Sequence, residues 1–98
     1  MSDDFFAPPA FKPDQALLQM QRALRDLRQL SERGTEFLLK GQTVIELGAD
    51  DSTLTAKLAK RPARSPEWDT RVCKNSADVR TLQDEIKKRL ARWTDETS

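Results

Sequence analysis

Two apolar stripes at helical spacing bracket the chain, and they constrain its fold more than any other feature. From Pro13 onward, Leu17, Met20, Leu24 and Leu27 recur, with Ala16, Ala23 and Leu30 widening the stripe. Near the other end, Val79, Leu82, Ile86, Leu90 and Trp93 recur in the same way. Steps of three and four gather residues on one side of an α-helix, and each such side must be buried against something else.

The first stripe predicts a helix over 13–33. Pro13 suits a first helical position, where its missing N–H leaves no bond unmade. Asp14 is favourable beside the positive helix end, and Gly34 offers a left-handed stop. Arg22 with Asp26 and Arg28 with Glu32 sit four apart as candidate ion pairs. The second stripe predicts a helix capped by Asn75, with Asp78 near its start. There Asp84–Lys88 and Glu85–Arg89 stand in the favoured acid-then-base order.

Between the stripes the pattern changes. Phe37-Leu38-Leu39 and Thr43-Val44-Ile45-Glu46-Leu47 are short, apolar and partly β-branched, with Lys40-Gly41-Gln42 between them. They read as two strands around a tight turn. Gly48-Ala49-Asp50-Asp51-Ser52 is a second turn signal. Residues 54–60 alternate apolar and polar as a half-buried strand does. They also fit a short helix, but the hairpin chemistry before them favours strand. Pro62 and Pro66 make 61–66 a loop, and Trp68–Cys73 offers one more short strand.

The expectation is therefore an α+β fold: a helix, an antiparallel three- to four-stranded meander, then a helix, with both helices packed on one sheet face. Leu24, Leu27, Ile45, Leu47, Leu82, Ile86 and Leu90 should form the core. Residues 1–12 read as a flexible tail rich in aromatics and proline, 13–94 as a single domain, and 95–98 as a frayed end.

Composition narrows the function. The 98 residues suit one domain. Seventeen basic residues balance sixteen acidic ones, which disfavours a general nucleic-acid coat. The single cysteine, Cys73, excludes an intramolecular disulfide; it is expected to be buried and inert, and reactive only if exposed. The start, Met1-Ser2-Asp3-Asp4, is acidic and no apolar run follows, so no signal peptide is expected. No stretch approaches the roughly 20 apolar residues of a membrane span, and a cytoplasmic location is expected by elimination.

The chain has no histidine, so imidazole general bases and Ser-His-Asp or Cys-His pairs are excluded. Gly34, Gly41 and Gly48 fit neither the dinucleotide fingerprint nor the P-loop. Asp50-Asp51 suits a turn better than a cation site. No catalytic, metal or cofactor-binding residue is nominated, and a small metal- or carboxylate-dependent enzyme is a distant third reading.

The leading expectation is a non-catalytic interaction or accessory module with a protein partner or a second copy of itself. It would make contact through Phe5, Phe6 and Phe11 of the tail, or through an edge of the meander. The alternative is a nucleic-acid-binding domain in which Lys60, Arg61, Arg64, Lys88 and Arg92 converge beside an exposed Trp68, since clustered cations with an aromatic platform suit single strands. The interaction reading instead expects Trp68 packed inward and the cations paired with Glu67, Asp69 and Asp84. The helix–meander–helix order is similar to that of the double-stranded-RNA-binding domain. The basic cluster which that family carries at the start of its second helix is replaced here by Asn75-Ser76-Ala77-Asp78-Val79.

Overall fold

The computed structural model of the protein describes residues 11–96. Helix α1 (Pro13–Arg25) is followed by strands β1 (Leu30–Arg33), β2 (Glu36–Leu39), β3 (Gln42–Ala49), β4 (Leu54–Ala59) and β5 (Trp68–Cys73), and then by helix α2 (Ser76–Glu96). The strands form one antiparallel sheet in chain order, β1-β2-β3-β4-β5. The α+β class and the meander match the expectation, and residues 54–59 are strand. The strand number does not match, since the meander has five strands rather than three to four.

The extra strand comes from the expected first helix. That helix ends at Arg25 instead of Arg33. Beyond it the Leu27 N–H donates to the Leu24 carbonyl and the Leu30 N–H to that of Leu27, so the chain tightens into three-residue turns. Leu30 then lies opposite Leu39 in a ladder with β2. The heptad-like stripe is real, but β2 offers a hydrogen-bonding edge that lets Leu30 be buried from a strand instead. Arg25 grips Glu32 through two bonds of 2.8 and 3.1 Å, an ion pair seven residues apart between the end of α1 and β1. Gly34 does adopt a positive φ of 62°, but in the two-residue turn joining β1 to β2, not as a helix cap. Lys40 and Gly41, at φ 53° and 85°, close the next hairpin, as a primed turn requires.

Strand pairing sorts the side chains onto two faces. Phe37 lies opposite Ile45, which lies opposite Leu58, while Leu47 lies opposite Ala56 and Leu54 opposite Cys73. All of these are buried, and this face takes both helices. Helix α1 contributes Ala16, Met20 and Leu24; α2 contributes Val79, Leu82, Ile86, Leu90 and Trp93. Leu27, expected in the core, is only half-buried against it. Between Phe37 and Leu38 the register slips, leaving Val44 without a partner as a bulge; Val44 and Ile45 are consequently both buried in succession.

Asn75 caps α2 as its sequence suggests: its side-chain oxygen accepts the Asp78 N–H at 2.8 Å, and Asp78 accepts the Lys74 N–H at 3.0 Å. The helix continues through Glu96, with Trp93 almost fully buried in its last turns. The expected tail divides. Phe11 is half-buried against the core, while Phe5 and Phe6 lie outside the described residues.

Leu24→Ala and Ile86→Ala should each destabilise the protein by about 2–5 kcal/mol, the usual cost of a core cavity. Leu18→Ala, at an exposed position of α1, should stay within about 0.5 kcal/mol. Urea denaturation of the three variants checks this.

Candidate interaction surface

Alternation along β5 divides six residues between two environments. Asp69, Arg71 and Cys73 lie opposite Leu58, Ala56 and Leu54 and so belong to the helix-covered face; Trp68, Thr70 and Val72 belong to the other. No described helix lies against that second face.

Trp68 sits opposite the buried Ala59 on the face away from the helices; it is half-buried and packs against the edge of the core, so it is neither fully exposed, as the nucleic-acid reading expects, nor fully inward. Its ring shares a solvent-open groove of about 680 Å³ with Gly41, Thr43, Glu46, Arg64 and Pro66. The loop between β4 and β5 forms one wall and the β2–β3 turn with β3 the other. A 2.9 Å bond from the Lys60 N–H to the Glu67 carbonyl closes the base of that loop. The groove thus combines an indole, a proline, one cation and one carboxylate. Glu36 borders the same face, joined to Arg33 at 2.8 Å and to the Thr43 hydroxyl at 3.4 Å. At the far end of β5, Val72 is 49% exposed.

On the covered face, the charged residues of β5 meet α2. The Arg89 guanidinium donates to Glu85 at 2.7 Å, to Asp69 at 2.9 Å and to the Ala59 carbonyl at 3.2 Å. Arg71 forks onto Glu85 at 2.9 and 3.0 Å, and the Lys60 ammonium lies 3.7 Å from Asp69. Both carboxyls are held below their ordinary range, Asp69 chiefly by its bond from Arg89 and Glu85 chiefly by its bond from Arg71, with partial burial opposing in each case. Five charges thus close the seam between helix and edge strand, and the Arg89 side chain remains only 12% exposed.

These positions separate the residues that the nucleic-acid reading would bring together. Arg64 and Trp68 share the groove. Lys60 turns to the opposite face and pairs with Asp69. Arg61 is exposed in the loop, and Lys88 and Arg92 are exposed on α2, which packs on the face away from Trp68. Asp69 pairs with cations, as the interaction reading expects, but sequence reasoning missed that it faces the helix side and that Val72 is a surface residue. The available signal was the strict alternation Trp68-Asp69-Thr70-Arg71-Val72-Cys73: once Cys73 is inward, Asp69 and Arg71 must be inward too. The pair Glu85–Arg89, expected as an acid-then-base pair of the last helix, lies at this seam.

Cys73 is buried, and desolvation raises its thiol pKa, with Asp78 adding to the effect. Asp50 serves a turn: its carboxylate accepts the Ser52 and Thr53 N–H groups at 2.9 and 2.7 Å, which lowers its pKa. Among the described residues, no three His, Cys, Asp or Glu gather as a metal site, and no helix is long and apolar enough to cross a membrane. Comparison of the chain with family models, curated proteins and solved structures returns no match.

Asp69 and Glu85, with depressed pKa values in the fold, contribute stability that is present above their unfolded-state values and is lost as pH falls through the folded ones. Melting temperature should therefore fall on acidification from neutral pH toward about pH 3, and Glu85→Gln should flatten that decline while lowering stability at neutral pH. Thermal melts across the range check both.

Proposed function

We propose that the protein is a non-catalytic interaction module whose groove beside Trp68 receives an extended segment of a partner protein. The observation that carries this reading is the groove itself. It opens on the sheet face that no described helix covers, and it sets the half-buried Trp68 ring beside Arg64 and Pro66. A half-buried indole is a rigid anchor with large contact area. Arg64 adds an exposed cation, so the favoured segment offers an apolar side chain to Trp68 and an acidic one to Arg64. The ion pairs among Lys60, Arg71 and Arg89 and their carboxylates serve the helix–strand seam in this reading. Its working compartment is the cytoplasm, in keeping with a single buried thiol, Cys73.

The test replaces Ser65, on the groove wall, with a photo-crosslinking amino acid in cells, with Lys87 on the exposed surface of α2 as control. Crosslinks from position 65 to a discrete protein, unaffected by nuclease and abolished by Trp68→Ala with Arg64→Ala, are expected. Nuclease-sensitive adducts at position 65 would favour the single-stranded nucleic-acid reading, and equal crosslinking from both positions would remove the groove from consideration.

A further inference from the structure

We propose that a second copy of this chain adds to the edge of β5 that no described strand pairs, antiparallel and centred on Thr70, to form a two-fold dimer with one continuous sheet. The inference concerns the sheet edge; it shares Trp68 with the groove but rests on the backbone and side chains of Asp69 to Val72.

The backbone decides which residues can pair. The bond from the Lys60 N–H to the Glu67 carbonyl makes these two a hydrogen-bonded pair. Such pairs alternate along an antiparallel ladder, so Asp69, Arg71 and Cys73 direct their N–H and C=O groups toward β4. Trp68, Thr70 and Val72 direct theirs outward. Strand β5 is last in the sheet order, and Thr70 and Val72 are exposed. The Thr70 carbonyl accepts only a 3.2 Å bond from the neighbouring Arg71 side chain, which leaves it a second lone pair.

The side chains then select the register. With Thr70 opposite itself on the two-fold axis, Trp68 lies opposite Val72 of the second copy, and Thr70 and these two form the hydrogen-bonded pairs that the outward groups require. On the uncovered face, an aromatic meets a β-branched residue, a favourable cross-strand pair. On the helix-covered face, Asp69 lies opposite Arg71 of the second copy, and Arg71 opposite its Asp69. Their side chains are 27% and 42% exposed, so both can be reached. The carboxylate of Asp69 has acceptor sites beyond those used by Arg89 and Lys60. Moving the two-fold axis by one residue in either direction, a slip of two residues in register, sets Asp69 against itself or Arg71 against itself, and like charges directly opposite are unfavourable. The segment Trp68-Asp69-Thr70-Arg71-Val72 is thus self-complementary with the axis at Thr70 and repulsive with it at either neighbour. An isologous interface demands this kind of pattern.

Sedimentation velocity over a concentration series tests the dimer, using the full chain of 11.2 kDa. Wild type should shift to twice that mass as concentration rises. Thr70→Pro should weaken association about tenfold or more: its N–H points outward, so the substitution leaves the ladder with β4 intact, as edge positions allow. Val72→Lys should do the same by placing a charge on the edge. Circular dichroism confirms that each variant is folded. Asp69→Arg and Arg71→Asp should each be monomeric alone and form a mixed dimer together, an outcome that misfolding cannot produce. A wild type that stays monomeric to millimolar concentration would overturn the proposal, as would a dimer indifferent to Thr70→Pro and Val72→Lys. Crosslinking at position 65 by a partner protein would survive in Thr70→Pro, which separates this contact from the groove.

Discussion

A pair of helices closes one face of the five-stranded meander, and strand alternation then decides what every other side chain meets. Burial on the covered face runs from Leu30 through Phe37, Ile45 and Leu58 to Cys73, with the part-exposed Asp69 and Arg71 at the β5 edge. At roughly 25 cal/mol per Å² of apolar surface, that layer and the two helix stripes supply the main driving force for folding. On the other side the alternation places Thr70 and Val72 of β5 and Lys57 of β4 at the surface, with Trp68 and Glu46 half-buried beside them.

The seam at β5 shows how charge is accommodated under that cover. Asp69 and Arg71 fall on the inward side because Cys73 does, and burying either alone would be costly. Arg89 and Glu85 on α2 meet them at hydrogen-bond distance, and the same Arg89 satisfies the Ala59 carbonyl where β4 gives way to the loop. A planar guanidinium with several fixed donors can join helix, strand and loop at one point, which an ammonium cannot do as well. Such a network adds specificity more securely than it adds net stability, because the ions lose hydration in forming it. Here it fixes where α2 lies along the edge strand, and so which groups of β5 stay open.

Much of the fold was legible because it rests on local period and turn chemistry. Ile86 and Leu90 repeat at helical spacing, Lys40-Gly41 needs positive φ, and Asn75 caps a helix in the ordinary way. The boundary of α1 was not legible. Leu27 and Leu30 fit a helix as well as a strand, and only the presence of β2 as a pairing edge, a non-local fact, turns Leu30 into the start of β1. The candidate surface was half legible. Trp68 and Arg64 stood out as residue types, but their sharing one groove while Lys88 and Arg92 lie beyond the sheet depends on strand order and face. The tail aromatics Phe5 and Phe6 lie outside the described residues, and Phe11 joins the core it borders.

The central claim, that both described helices cover the same face of the sheet, is tested most directly by solvent paramagnetic relaxation in dilute solution. With a soluble gadolinium chelate, the Trp68 indole and Val72 methyl resonances should broaden strongly. The methyls of Ile45, Leu58 and Ile86, enclosed between sheet and helices, should be untouched. Protection of Trp68 and Val72 in the monomer, or broadening of Ile45 and Ile86, would contradict the account.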